Sequence, residues 1–231
     1  MTDTSTTLTG GDEEYPKSAP VDREINGPLD ETEAGSIRPS VDLGALRIEP
    51  KRGMQLRLEI DKNNNRVIAV TLEHDGSTVQ LQPFAAPRSS GLWHEIRAQI
   101  MEQVRKQGGT VSETEGPFGP EVSAKVPVQT GGSFGTRNVR FIGVDGPRWF
   151  LRAVIGGPAA TNPEAADITH SMTSRAVLVR RNTTLPPPHL IPPTLPHTAQ
   201  LPGCDCATPW PHPSPTYQLT APFREPASLP S

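Results

Sequence analysis

The sequence lacks the features that define secreted, membrane-spanning and disulfide-stabilised proteins. Its 231 residues include only two cysteines, Cys204 and Cys206, which excludes a disulfide framework, and aromatic residues make up only 5% of the chain. No apolar run approaches the roughly 20 residues that cross a bilayer, and the N-terminus has no basic-then-apolar signal pattern. We therefore expect a soluble, cytoplasmic protein that does not associate with membranes.

Motifs of common catalytic sites are also missing. The chain contains no HExxH or paired CxxC pattern. The glycine-rich stretch at 131–136 has no lysine and precedes a strand, unlike a phosphate-binding loop. Cys204 and Cys206 lie one residue apart in a proline-rich segment, which is not the usual spacing of a zinc site. The sequence thus predicts no metal and no cofactor, and it favours a protein that is not an enzyme.

Composition divides the chain into three parts. The first 35 residues hold nine acidic and two basic residues with few apolar ones, so 1–40 is predicted to be a disordered acidic arm. More than half of the 27 prolines follow Leu185, so 183–231 is predicted to be a disordered proline-rich tail. Between Ser36 and Asn182 there are nineteen basic and fourteen acidic residues. The segment 41–182 is therefore predicted to be one basic folded domain.

The most apolar stretch, 138–157, is interpreted as a hairpin around a turn at 145–148, with Val144 opposite Trp149. Strand alternation then gives two apolar sets on opposite faces, one of which includes Arg140 and the other Arg152. The first set is Ile142, Val144, Trp149, Leu151, Ala153 and Ile155, and the second is Val139, Phe141, Phe150 and Val154. Because both faces are apolar, the hairpin should lie inside a sheet that is covered on both sides. Gly143 indicates a bulge or close packing at mid-strand.

Other patterns complete the fold prediction. Further strands are expected at 46–50, 54–60, 66–73, 78–82, 110–115, 121–128 and 176–180. An amphipathic helix is expected from 92 to 108 after a serine cap, and a second from 163 to 172 after Asn162. This order indicates an α+β fold, with one antiparallel sheet and one or two helices packed on it. Its layout is loosely that of a PsbP-like sandwich.

Four segments resemble a known family. They are GPLD at 27–30, DLGAL at 42–46, LWHEIRAQI at 92–100 and GVDGPRWFLRAVIGGPA at 143–159. Together they resemble an actinobacterial family defined by a domain of unknown function, often encoded near the gene for dUTPase. The resemblance covers about 27–196, and its most specific part is VDGPRWFLR. It implies no particular catalytic residue, ligand or cofactor.

The best candidate site surrounds the central turn. Asp145, Arg148 and Arg152 lie close in sequence, and Arg140 lies on the preceding strand. The arginine fork suits an anion or a charged partner, so these four residues form a candidate binding site. In the alternative interpretation, Asp145 caps the turn and the arginine stems cover the neighbouring aromatic rings.

These patterns favour a binding or protein-interaction module that contacts an acidic protein or a small anionic ligand through residues 131–152. A small enzyme linked to nucleotide metabolism is a second hypothesis, for which an acid and a base such as Asp145 and His94 would have to converge. An accessory nucleic-acid-binding protein is a third. The basic cluster at 47–57 has no interleaved aromatic residues, so nucleic acid is not the partner we expect.

Overall fold

The computed structural model describes residues 15–35, 39–61, 66–130, 133–179 and 217–218. Its helices are α1 (Arg23–Asn26), α2 (Trp93–Lys106) and α3 (Pro163–Ser174), and a 3₁₀ turn spans Gly157–Ala160. The strands are β1 (Leu29–Asp30), β2 (Val41–Asp42), β3 (Leu46–Ile48), β4 (Gln55–Asp61), β5 (Arg66–His74), β6 (Ser77–Ala85), β7 (Thr110–Gly116), β8 (Gly119–Thr130), β9 (Ser133–Asp145), β10 (Trp149–Gly156), β11 (Val177–Leu178) and β12 (Tyr217–Gln218). The predicted α+β class is confirmed.

The strands form two sheets rather than the single sheet expected. An eight-stranded antiparallel sheet has the order β12-β4-β5-β6-β10-β9-β8-β7. A smaller sheet has the order β1-β11-β3-β2, in which β1 and β11 are parallel. The strands of the smaller sheet are only two or three residues long. Strands at the positions of β3 and β11 were predicted, whereas β1 and β2 are only two residues long, which is too short for alternation to be recognised.

The hairpin of β9 and β10 lies inside the large sheet, as predicted, but its register differs by two positions. Val144 pairs with Leu151 instead of Trp149, and the Gly146 N–H donates to the Trp149 carbonyl at 2.8 Å. Because side chains alternate with a period of two, a two-residue shift leaves every side chain on its predicted face. The two predicted apolar sets are buried in two separate core clusters, which confirms the assignment of faces.

Each face of the large sheet is covered by a different helix. The α3 face carries Ile142 and Leu151, which belong to one core cluster with Met172 of α3. The α2 face carries Phe141, which belongs to the other cluster with Trp93 of α2. None of the helices in the described ranges has the length and apolarity to span a bilayer.

Two local predictions have different outcomes. Gly143 was expected at a bulge or at a close approach, and the structure shows the approach: a Cβ there would lie 2.2 Å from the Trp93 ring. The strand predicted at 78–82 is longer than expected, because β6 continues through Pro83 to Ala85. The pairing of β6 with β5 stops at Leu81, so the absent N–H of Pro83 removes no bond to that strand.

The N-terminal segment differs most from expectation. Residues 15–35 fall within the predicted arm, but they pack against the domain. Asp30 is buried and accepts a hydrogen bond from Trp149 Nε1 at 3.1 Å. Arg23 is buried over the Trp149 ring and pairs with Glu33 at 2.7 Å. These contacts are polar, so an argument from apolar content does not find them. The predicted disorder of 1–14 and of the tail lies outside the described residues, except for β12, which pairs with β4.

Candidate anion-binding site

Asp145 lies at the end of β9, where its carboxylate accepts hydrogen bonds from three backbone N–H groups. Leu92 donates to Oδ1 at 2.9 Å, and Ser18 and Trp93 donate to Oδ2 at 3.0 and 3.4 Å. Leu92 and Trp93 begin α2, so Asp145 caps this helix from a distant strand in place of the expected serine. Burial raises the pKa of Asp145, and these hydrogen bonds oppose the rise. The carboxylate is engaged within the fold.

Residues 15–18 lie across the turn that follows Asp145. The Lys17 ammonium donates to the carbonyl oxygens of Pro147 at 2.9 Å and Pro87 at 3.2 Å, and also to that of Gly146. Burial lowers the pKa of Lys17, while the Asp145 carboxylate opposes this effect. The carbonyl groups of the turn are thus held by a side chain of the chain itself.

The remaining candidate residues point in different directions. Arg148 is exposed at the turn. Arg140 lies on the α3 face, where Nε and Nη2 donate to Glu121 Oε2, with Nε at 3.2 Å. Arg152 lies on the opposite, α2 face. The structure therefore does not bring the four residues into a single site, and each has to be assessed separately.

Arg152 is buried without an acidic partner. Its side chain is 2% exposed, and Nε and Nη2 both donate to the neutral Gln82 Oε1, at 2.8 and 2.6 Å. The guanidinium lies 5.3 Å from the centre of the Phe84 ring. Burial lowers the pKa of Arg152 to about 10, which shows how unfavourable the charge is in this position. Nη1 has no hydrogen-bond partner among the described residues.

Other arginines of the domain show what is missing at Arg152. Six of them form ion pairs with glutamates, most at 2.7–2.9 Å. The pairs are Arg23–Glu33, Arg47–Glu31, Arg57–Glu73, Arg97–Glu113, Arg140–Glu121 and Arg175–Glu49. A buried cation without a counter-charge is costly, because desolvation is not offset by an ion pair. An anion at Arg152 would offset this cost.

A row of polar side chains extends from Arg152 along β6. Thr78, Gln80 and Gln82 point to the α2 face and are at most 3% exposed; we call them the β6 row. Gln80 Nε2 donates to Glu59 Oε1. Gln80 Oε1 and Thr78 Oγ1 are buried without a hydrogen-bond partner in the described chain. Unpaired buried polar atoms are rare, so this row together with Arg152 is the strongest candidate for a ligand site.

The β6 row was not singled out from the sequence, although a signal for it is present. Polar Thr78, Gln80 and Gln82 alternate with apolar Val79 and Leu81. Such alternation ordinarily marks a strand with one solvated face. Only the tertiary structure shows that the polar face is buried and that Arg152 joins it from β10.

A second polar cluster lies on the α3 face. Glu121 is fully buried beside Arg140, and its Oε1 has no hydrogen-bond partner in the described part of the chain. Burial raises the pKa of Glu121 despite Arg140. His170 of α3 packs edge-on against Phe118, and neither ring nitrogen has a hydrogen-bond partner among these residues. Burial and the Arg140 charge lower the pKa of His170.

An open cleft of about 480 Å³ lies elsewhere, between β7–β9 and the 3₁₀ turn. Its polar lining includes Lys125, Asn138 and Ser123. Lys125 and Asn138 are exposed, and Ser123 is half-buried. The ammonium and hydroxyl groups of this cleft can form hydrogen bonds with water. The cleft therefore differs from the surroundings of Arg152, where the charge is buried.

The described residues contain no group of three or more His, Cys, Asp or Glu side chains that could hold a metal ion. Cys204 and Cys206, considered above for zinc, lie outside those residues. The structure thus supplies no geometry for a metal centre in the part that it describes.

The fold and the site define an α+β domain on an antiparallel sheet with a buried polar row. The chain belongs to the family described as "Protein of unknown function (DUF3710)", whose model matches residues 27–201. No curated protein matches it. Among solved structures it is similar to the solution structure of cyanobacterial PsbP (CyanoP) from Synechocystis sp. PCC 6803, at 9% identity and a TM-score of 0.34. That match covers 66% of this chain and 99% of the other.

Proposed function

We propose that the protein is a non-catalytic cytoplasmic binding module that holds a small anionic ligand at Arg152. One observation carries this proposal: Arg152 is buried with only a neutral acceptor, whereas six other arginines of the domain have glutamate partners. A phosphate or carboxylate oxygen at Nη1 would form a charge-assisted hydrogen bond and offset the buried charge.

The surroundings of Arg152 suit a positioned anion receptor. Gln82 accepts hydrogen bonds from two of its nitrogens and the guanidinium lies over the Phe84 ring, so both contacts restrict its orientation. A preorganised donor binds with a smaller entropy cost. The burial of Arg152 favours a small ligand over the surface of an acidic protein.

The test compares thermal unfolding in sodium phosphate and in sodium chloride of equal ionic strength. We expect phosphate to raise the melting temperature of the wild type by about 4 °C when present at tenfold its dissociation constant. In Arg152→Met this shift should disappear. The variant's own melting temperature in chloride is the reference for this shift, because the substitution removes a buried charge and also leaves Gln82 Oε1 without these two donors.

Arg140→Met is the matched control. It removes an equally long cation from the same hairpin, but it leaves the buried Glu121 unpaired, so it should cost about 3 kcal/mol of stability while the phosphate shift remains. Equal phosphate shifts in the wild type and Arg152→Met would rule out the proposed site.

An enzyme acting on nucleotides is the second candidate. The Asp145–His94 pair does not support this candidate. The Asp145 carboxylate accepts hydrogen bonds from three backbone N–H groups, and the His94 ring stacks on Tyr15 with 3.9 Å between ring centroids. Glu121 and His170 are the acid and base left to carry it, because both lie within reach of the Arg140 charge on the α3 face, and that charge lowers the pKa of each. Turnover of a nucleotide panel that is lost in Glu121→Gln would favour this candidate. Turnover that persists in this variant would exclude it. A nucleic-acid-binding role has no comparable support.

A further inference from the structure

We infer that the ligand is an elongated acid, with its anionic group at Arg152 and a hydrogen-bond donor about 7 Å away, at Gln80. This inference rests on the proposed function and names the chemical class of the ligand. It is carried by the two unpaired buried atoms of the β6 row, Gln80 Oε1 and Thr78 Oγ1.

Strand geometry sets the spacing. Arg152 pairs with Gln82 across the β6–β10 ladder, and Val154 pairs with Gln80. Gln80 is therefore the diagonal neighbour of Arg152 on the same face, at roughly 7–8 Å between backbones. Thr78 lies two residues beyond Gln80 along β6, which is about 6.8 Å further. An extended molecule lying along β6 would meet Arg152 first, then Gln80, then Thr78.

The chemistry of the row sets the complementary groups. Gln80 uses its Nε2 to donate to Glu59, which leaves its Oε1 as an acceptor without a donor. An unpaired acceptor with no exposed surface is satisfied only by an N–H or O–H group. An ammonium group supplies such an N–H donor. The Thr78 hydroxyl can donate or accept and therefore sets no polarity for the far end of the ligand.

Two matched acids test this inference on the full chain. Pentanoate carries only the carboxylate, and 5-aminopentanoate adds an ammonium at the far end of the same chain. We expect titration calorimetry with the wild type to give about tenfold tighter binding for 5-aminopentanoate, as for one additional charge-assisted hydrogen bond. Arg152→Met should weaken the binding of both acids.

Variants of Gln80 locate the donor. In Gln80→Leu the two acids should bind equally, while the phosphate-dependent rise in melting temperature persists. Gln80→Met replaces the amide with an apolar side chain of similar length, so the two acids should again bind equally. This variant also supplies the comparison if Gln80→Leu does not fold.

Three outcomes would overturn the inference. They are equal affinities of the two acids for the wild type, a preference that survives in Gln80→Leu, and no binding of either acid by a protein that phosphate stabilises. Each of them leaves the anion site standing if phosphate still stabilises the wild type through Arg152. The absence of any phosphate effect is a separate result, which refutes the proposed function itself.

Discussion

Arg140 and Arg152 belong to the same hairpin but lie on opposite faces, and their neighbours decide what each can do. Arg140 is paired with the buried Glu121, and its charge is used within the fold. Arg152 has only a neutral amide oxygen and an aromatic ring. A buried charge without a partner lowers stability unless it serves another purpose. At the scale of single residues, this asymmetry is the main indication of a binding role.

Glu121 makes a testable contribution to the pH dependence of stability. Burial raises its pKa in the folded state, so the folded protein binds this proton more tightly than the unfolded chain does. The contribution of Glu121 is fully present below the unfolded pKa and is lost as pH rises through the folded pKa. The unfolding free energy of the wild type minus that of Glu121→Gln should therefore become more positive as pH falls from about 7 to about 4.5. Urea unfolding at several pH values measures it; a difference that shrinks toward acid pH would contradict the prediction.

His170 should act with the opposite sign. Burial lowers its pKa, so the unfolded chain binds this proton more readily and acid favours unfolding. The wild type should lose stability as pH falls through about 6.5, and His170→Phe should lose less over the same pH range. At pH 8 the variant should lose at most about 1 kcal/mol of stability, because the substitution breaks no hydrogen bond of the His170 ring within the described residues. The same urea titration compares the two proteins, and identical acid sensitivity would contradict the assignment.

At the scale of secondary-structure elements, the packing of α2 depends on the absence of a side chain in β9. The Trp93 ring lies directly over Gly143, and a Cβ there would lie 2.2 Å from ring atoms. Trp93 also donates to the Pro120 carbonyl at 2.6 Å, which ties the helix to β8. The helix, the hairpin and β8 are thus held at one point, and a methyl group at this point would separate them.

Gly143→Ala should therefore destabilise the protein by about 1–3 kcal/mol, as expected for overpacking a filled core. Chemical unfolding followed by tryptophan fluorescence reports both the stability and the environment of the helix. Gly35→Ala is the control, because no atom lies within 4 Å of its added Cβ. It should change the stability by less than about 0.5 kcal/mol. Equal effects of the two substitutions would refute this account of the contact.

At the scale of the whole molecule, the folded unit begins before residue 41. The backbone of Ser18 exchanges two hydrogen bonds with Asp145, and the Asp30 side chain accepts one from Trp149. β1 also provides an edge of the small sheet beside β11. Residues 15–35 therefore pack against the domain and contribute to its core contacts. A domain boundary at residue 41, as the composition indicated, would exclude these contacts.

A truncated protein tests this boundary. A chain of residues 41–231 leaves the buried Trp149 Nε1 without an acceptor, which by itself costs about 1–3 kcal/mol. We expect it to melt well below a chain of residues 15–231 or to fail to fold, as measured by circular dichroism. Asp30→Ala in the longer chain removes the Trp149 acceptor together with the hydrogen bonds from Thr32, and it should reproduce part of the loss. Equal melting temperatures of the two chains would show that residues 15–40 are dispensable.

Local sequence patterns were enough to predict the α+β class, α2, α3 and the faces of the central hairpin. These features depend on local periodicity, and side-chain alternation is unaffected even by a two-residue shift in register. The sequence also marked Arg152 as a candidate residue. Only the tertiary structure decided that Asp145 caps α2, that Arg140 has a glutamate partner and that Arg152 has none. Those outcomes depend on which distant groups meet after folding and on how much water they lose, and neither is encoded in the spacing of residues along the chain.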